Sequence, residues 1–224
     1  MEARRPATVD RRPWTDDRRL RITGHSSGPP SSVGGLRSSM GDSLCKGKTM
    51  NVTIDNLVAD DWPQVQAIYR EGIEDGQATF ETEVPTWEAW DASHLPICRL
   101  LARDRLGLES RPGQVTGWAA LSPVSRRPCY AGVAEVSIYV ARASRGCGVG
   151  RALLEALIAA SERHGIWTLQ GMTFAENEPS LRLQARCGFR RVGYRERIAQ
   201  LRGVWKDTVL MERRSAVVTN PGEG

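Results

Sequence analysis

Ala134–Leu154 reads AEVSIYVARASRGCGVGRALL, and this stretch decides the fold. The run from Ala134 to Ala141 is mostly apolar, which predicts a buried strand. Glycines follow at 146, 148 and 150, and then Leu153, Leu154, Leu157, Ile158 and Ala160 recur at helical spacing. That pattern predicts a helix from Gly148 to His164, closed by Gly165. A glycine turn lets the backbone approach a bulky anion, and the helix behind it points unpaired N–H groups and the positive end of its dipole at that anion. The stretch therefore asks for a phosphate.

Spacing narrows the choice of phosphate carrier. A dinucleotide-binding G-x-G-x-x-G turn starting at Gly146 would need glycine at 151, where Arg151 stands, and no Gly-Lys-Ser/Thr of a Walker turn follows. What remains is Arg145-Gly146-Cys147-Gly148-Val149-Gly150, which resembles the R/Q-x-x-G-x-G/A pyrophosphate loop of the Gcn5-related N-acetyltransferases. The resemblance implies an acyl-coenzyme A ligand. From the loop alone, a purely structural strand, turn and helix stays open.

Working outward, Asn51 to Leu57 predicts a strand, and Asp60 or Asp61 is placed to cap a helix carrying Trp62, Val65, Ile68 and Tyr69 on one face. A loop at 76–81 leads to a short helix capped by Thr86. Strands are expected at Ile97 to Asp104 and Val115 to Val124, joined by LESRPGQ. Beyond the central helix come a strand from Ile166 to Phe174, a helix from Asn177–Ser180 to Cys187–Gly188, and strands at Arg190 to Ala199 and Val204 to Arg213. This order is that of an α/β acetyltransferase fold, with a mixed, mostly antiparallel sheet splayed at the central strand and flanking helices. The domain is expected over residues 50–214, with a flexible tail over 215–224.

Composition bounds the function. The chain has 224 residues and a formal net charge of +5. Residues 1–49 hold ten Lys/Arg against five Asp/Glu, so that segment carries the whole excess and the rest sums to zero. A basic nucleic-acid footprint on the body is thereby excluded. The segment is rich in Arg, Ser, Gly and Pro without apolar periodicity, which predicts disorder. Five scattered cysteines without C-x-x-C, and only three histidines, argue for a reducing compartment, no disulfide framework and no metal site. With no long apolar window and no secretory signal, the expectation is a cytoplasmic protein with no membrane partner.

Acyl transfer to an amine needs a base, a polarised carbonyl and a leaving group. An α-amino group titrates near 7.7–8.0, so a modest base suffices. Glu135, on an otherwise apolar strand, is the best placed carboxylate, although an ordinary solvated strand-end Glu is the alternative. Around it the resemblance becomes closer. Glu135-Val-Ser-Ile-Tyr-Val140, Gly117–Pro123, Arg127-Pro128-Cys129-Tyr130, Thr79-Phe80-Glu81, Asn177 to Ser180 and Gly203-x-Trp205-x-Asp207 together resemble the phosphinothricin acetyltransferase group of that superfamily, over nearly all of 50–214.

The resemblance implies that Glu135 is the general base and that Phe80, Glu81, Arg127 and Tyr130 surround a small amino-acid-like amine acceptor. It implies that Ile138, Tyr139 and Val140 flank the pantetheine arm of acetyl-CoA, with backbone groups of Ile138 and Val140 pairing to it as an added strand would. Arg145, Gly146, Cys147, Gly148, Val149, Gly150 and Arg151 would cradle the pyrophosphate, with Asn177 and Ser180 beside the pantetheine. It also implies a homodimer.

Two positions depart from the group. Gln184 stands where relatives carry a Tyr or His acid, and glutamine cannot give up a proton; a thiol of pKa near 8.5 can leave unaided. Ser125 stands where many relatives have Arg, which bears on acceptor identity. Two further readings remain: transfer to another amine, such as a protein N-terminus or a polyamine, and a non-catalytic acyl-CoA sensor. Ser125-Arg126-Arg127 favours an anionic acceptor over a polyamine. No cysteine has a neighbouring His in sequence, so direct attack is favoured over a cysteinyl intermediate.

Overall fold

The computed structural model describes residues 50–104 and 113–218. The 1–49 segment, most of the LESRPGQ turn and the last six residues of the expected tail lie outside them. Among the described residues, seven strands and four α-helices follow one another as β1 (Val52–Asn56), α1 (Trp62–Asp75), α2 (Trp87–Ser93), β2 (Leu100–Asp104), β3 (Val115–Pro123), β4 (Val133–Val140), α3 (Val149–Arg163), β5 (Thr168–Phe174), α4 (Glu178–Arg186), β6 (Arg190–Leu201) and β7 (Val204–Arg214). The element order matches the sequence reading, with ends shifted by a few residues; the strand expected from Ile97 begins only at Leu100. Short 3-10 turns at Ala59–Asp61, Pro128–Tyr130 and Arg142–Ser144 fill connections between these elements.

The strands form one sheet in the order β1-β2-β3-β4-β5-β7-β6. All neighbours are antiparallel except β4 and β5. That one parallel pair is short: only Val133, Ala134 and Glu135 register with Thr168, Leu169 and Gln170. Beyond Glu135, β4 continues along β3 to Val140 while β5 continues along β7 to Phe174. The sheet is forked at Glu135.

Each sheet face has its own core. On one, α3 packs Leu153, Leu154, Leu157 and Ile158 onto Ala119, Leu121, Ala134 and Leu169. On the other, α1 and α2 pack Val65, Tyr69 and Trp90 onto Leu101, Trp118 and Ala120. Strand alternation explains the division, since successive β4 side chains go to opposite faces: Ala134 belongs to the first core, and Tyr139 packs against the second.

Three expectations are corrected. Asp61 precedes α1 but does not cap it with its side chain. Its carboxylate accepts from Val58 N–H at 3.1 Å and pairs with Arg103. Ser215 is buried rather than loose: its N–H donates to Trp167 O at 2.9 Å and its hydroxyl to Glu162 at 2.9 Å. Cys147 is disulfide-bonded, where the sequence reading expected no disulfide framework, while Cys98, Cys129 and Cys187 are free. Among the described residues no helix is long and apolar enough to cross a membrane.

Candidate active site

The fork opens into a cavity of about 960 Å³, walled by the outer half of β4, the loop into α3, the end of α1 with its following loop, and α4. Ala141 N–H donates to Thr116 O on β3. By alternation, the backbone groups of Ile138 and Val140 then face away from β3, into the gap that β5 vacates. At the cavity's outer end Gly146 and Gly148 take φ of 77° and 87°, conformations that side chains disfavour. Gly148 precedes α3, whose first N–H groups have no side-chain cap. The result is a cradle of backbone donors at the positive end of a helix dipole, suited to a diphosphate.

Charged groups complete this end. Asp75, at the last position of α1, accepts from Arg142 at 2.7 Å and from Arg145 at 2.5 Å. Burial alone would raise the Asp75 carboxyl, but the two guanidinium bonds outweigh it and hold it below the usual range. Arg145 also donates to Val140 O at 3.1 Å, tying the loop to the end of β4. Arg151, Arg182 and Arg186 add cationic side chains to the wall.

Asn177 links two walls. Its Oδ1 accepts from Ser180 N–H at 3.2 Å, capping α4, and its Nδ2 donates to Gln77 O at 2.9 Å in the loop after α1. Thus Ile138, Tyr139, Val140, Arg145, Gly146, Cys147, Gly148, Gly150, Arg151, Asn177 and Ser180 all line one cavity. Val149 does not; its side chain is buried in the α3 core.

Glu135 sits at the apex of the fork, half-buried, and accepts a long hydrogen bond of 3.4 Å from Gln170 Nε2. At about 3.3 Å per residue it lies roughly 17 Å along β4 from Val140. Tyr139 is clamped between Tyr69 (centroids 4.8 Å) and Trp118 (4.7 Å, stacked). Burial pushes both phenols above their ordinary value, and the nearby Glu81 carboxylate adds to this.

The four acceptor candidates are not in the cavity wall. Phe80 packs edge-on against Phe174 of β5 at 4.7 Å, and exposed Glu81 lies beside the Tyr69–Tyr139 pair. Arg127 stacks over Tyr130 at 6.0 Å on the connection between β3 and β4, both exposed. Sequence reasoning missed Gly72, Asp75, Gln77 and Ala78, and also Arg182, Leu183 and Arg186. Only the last three carried a signal, being neighbours of Ser180 on one helix.

A forked central strand, a glycine cradle at a helix start and a carboxylate at the fork define an acyl-transfer fold. The chain belongs to the acetyltransferase (GNAT) family, whose model matches residues 58–189. It is 34% identical over 158 residues to the phosphinothricin N-acetyltransferase of Alcaligenes faecalis, covering 69% of this chain and 78% of that one. It is 28% identical over 170 residues to the L-methionine sulfoximine/L-methionine sulfone acetyltransferase of Pseudomonas paraeruginosa, covering 73% and 94%. The crystal structure of a phosphinothricin acetyltransferase from Sinorhizobium meliloti in complex with acetyl-CoA matches with a TM-score of 0.67 at 28% identity, over 78% of this chain and 95% of that one.

Proposed function

We propose that this protein transfers acetyl from acetyl-CoA to the amino group of a small amino acid or analogue of the phosphinothricin, methionine sulfoximine or methionine sulfone type. The observation that carries the reading is the fork itself, with the cradle at the open end of β4 and Glu135 at the apex. The roughly 17 Å between them suits a pantetheine arm lying along the strand. The backbone of Ile138 and Val140 would pair with that arm's amides, residues 145–151 would hold the diphosphate, and Asn177 would order the junction beside it. Access to the small-amine acceptor would run past Phe80, Glu81, Arg127 and Tyr130, where an arginine suits an acidic group on the acceptor.

In this reading the acceptor amine attacks the thioester carbonyl directly in a ternary complex. Glu135 takes the amine proton, itself or through a water, and a strand N–H of β4 faces the developing oxyanion. The carbon–sulfur bond then breaks with its electron pair on sulfur. A homodimer fits the exposure of Val192, Tyr194, Ile198, Val204 and Trp205, all on the β6–β7 hairpin at the sheet edge.

The test is release of free thiol from acetyl-CoA by purified protein against a panel holding phosphinothricin, methionine sulfoximine, methionine sulfone, a polyamine and an N-terminal peptide. Turnover confined to the first three is expected. Cofactor binding with no turnover on any amine would leave the sensor reading instead.

A further inference from the structure

The acid position of this site is filled by a residue that cannot be an acid, and the structure shows where its side chain goes. Gln184 is 5% exposed. Its Nε2 donates to Thr173 Oγ1 at 2.7 Å and to Ser180 Oγ at 3.3 Å. Its Oε1 fills the space over Gly171, where a Cβ on β5 would collide with it. The amide is thus locked between α4 and β5 and does not line the cavity, whereas Ser180 does.

A hydroxyl has one proton and two acceptor sites. Because Ser180 Oγ accepts from an immobilised amide, and its own N–H is tied to Asn177 at 3.2 Å, the hydroxyl proton is left to point elsewhere. Among the described residues lining the cavity, hydroxyls are carried by Tyr139, Ser144 and Ser180. The Tyr139 ring is held in the second core's aromatic cluster, against Tyr69 and Trp118. Ser144 lies beyond the end of β4, in the turn before the glycine cradle. Of the three, Ser180 is the one whose hydroxyl oxygen accepts from a fixed side-chain amide.

We propose that Ser180, oriented by Gln184, donates the hydrogen bond that holds the departing coenzyme A sulfur, replacing an acid side chain at position 184. This rests on the acetyl-transfer reading above. The nitrogen–carbon bond forms, the carbon–sulfur bond breaks with its pair on sulfur, and the amine proton goes to Glu135. The sulfur leaves as a thiolate bonded to the Ser180 O–H. An alcohol is far less acidic than a thiol, so the proton stays on Ser180 and water protonates the thiolate after release. Hydrogen bonds to ionised acceptors are stronger than to neutral ones, so the contact favours the product side of the transition state over the bound thioester. Ser180 is then a catalytic residue and Gln184 a positioning residue.

The test titrates the thiol of coenzyme A bound to the protein, followed by thiolate ultraviolet absorbance, which needs no acceptor. In Ser180→Ala the bound thiol should become about tenfold less acidic, and kcat should fall about 10- to 100-fold with KM for acetyl-CoA within about twofold. Ser180→Thr, which keeps a hydroxyl, should restore most of both. Gln184→Leu should move the thiol titration in the same direction by a smaller amount. A bound thiol that titrates identically in wild type and Ser180→Ala would overturn the proposal and leave acetyl transfer standing. Failure of coenzyme A to bind at all would overturn both.

Discussion

Glu135 owes its place to two local facts. It is the last β4 residue registered with β5, so its backbone is held as firmly as any in the sheet, yet the next β4 residue already borders the gap. Its carboxylate accepts a 3.4 Å bond from the neutral Gln170 amide, which leaves capacity for an amine. Glu135→Gln keeps the shape and removes the proposed base. Turnover with the best acceptor should fall about 100-fold or more while acetyl-CoA affinity, read by calorimetry, stays unchanged. Gly72 offers a test of packing at the same scale. A Cβ there would sit 2.7 Å from Tyr139 Cδ1, and that ring cannot move aside because Tyr69 and Trp118 clamp it. Alanine in a helix gains about 0.5–1 kcal/mol over glycine. Overpacking costs about 1–3 kcal/mol, so Gly72→Ala should destabilise on balance in denaturant titration.

At the level of elements, Asn177 both caps α4 and ties its start to the loop after α1. Asn177→Ala removes both the cap and the bond to Gln77 O, and should cost about 1 kcal/mol in chemical denaturation besides weakening coenzyme A binding. Strand β4, the glycine loop and α3 were readable from sequence because each rests on local chemistry: apolar run, positive-φ glycines, helical spacing. The rest depends on partners distant in the chain. Asp75 and Arg145 are seventy residues apart and meet only because α1 ends beside the loop. Asp61 reads as a cap until Arg103, on β2, claims its carboxylate. Gln184 stands where relatives carry an acid, and only the fold shows its amide drawn into the core beside Gly171 and Thr173. Arg127 and Tyr130, by contrast, stack on each other in the connection between β3 and β4, a contact between near neighbours in the chain.

Across the whole molecule, acid should strip stability from both ends of the fold. Burial alone would raise the Glu162 carboxyl, but Arg213 and Ser215 outweigh it and hold it low, as Arg145 and Arg142 do for Asp75. A depressed carboxylate contributes stability above its unfolded value, about 3.9 for Asp and 4.3 for Glu, and loses it as pH falls through the lower folded value. Melting temperature should therefore drop below about pH 4, and less steeply in a Asp75→Asn, Glu162→Gln double variant. The β6–β7 hairpin, with Trp205 54% and Val204 59% exposed, should bury in a dimer. Light scattering should then give twice the 24.7 kDa chain mass, and Trp205→Glu should shift it toward the monomer.

The central claim is that the fork between β4 and β5 carries an acetyl group to a small amine. Mass spectrometry of a reaction holding protein, acetyl-CoA and phosphinothricin or methionine sulfoximine tests it directly. The account predicts N-acetylated acceptor and free coenzyme A in equal amounts, with both lost together in Glu135→Gln. Acetyl-CoA that binds in the cavity yet yields no acetylated product with either acceptor would contradict it.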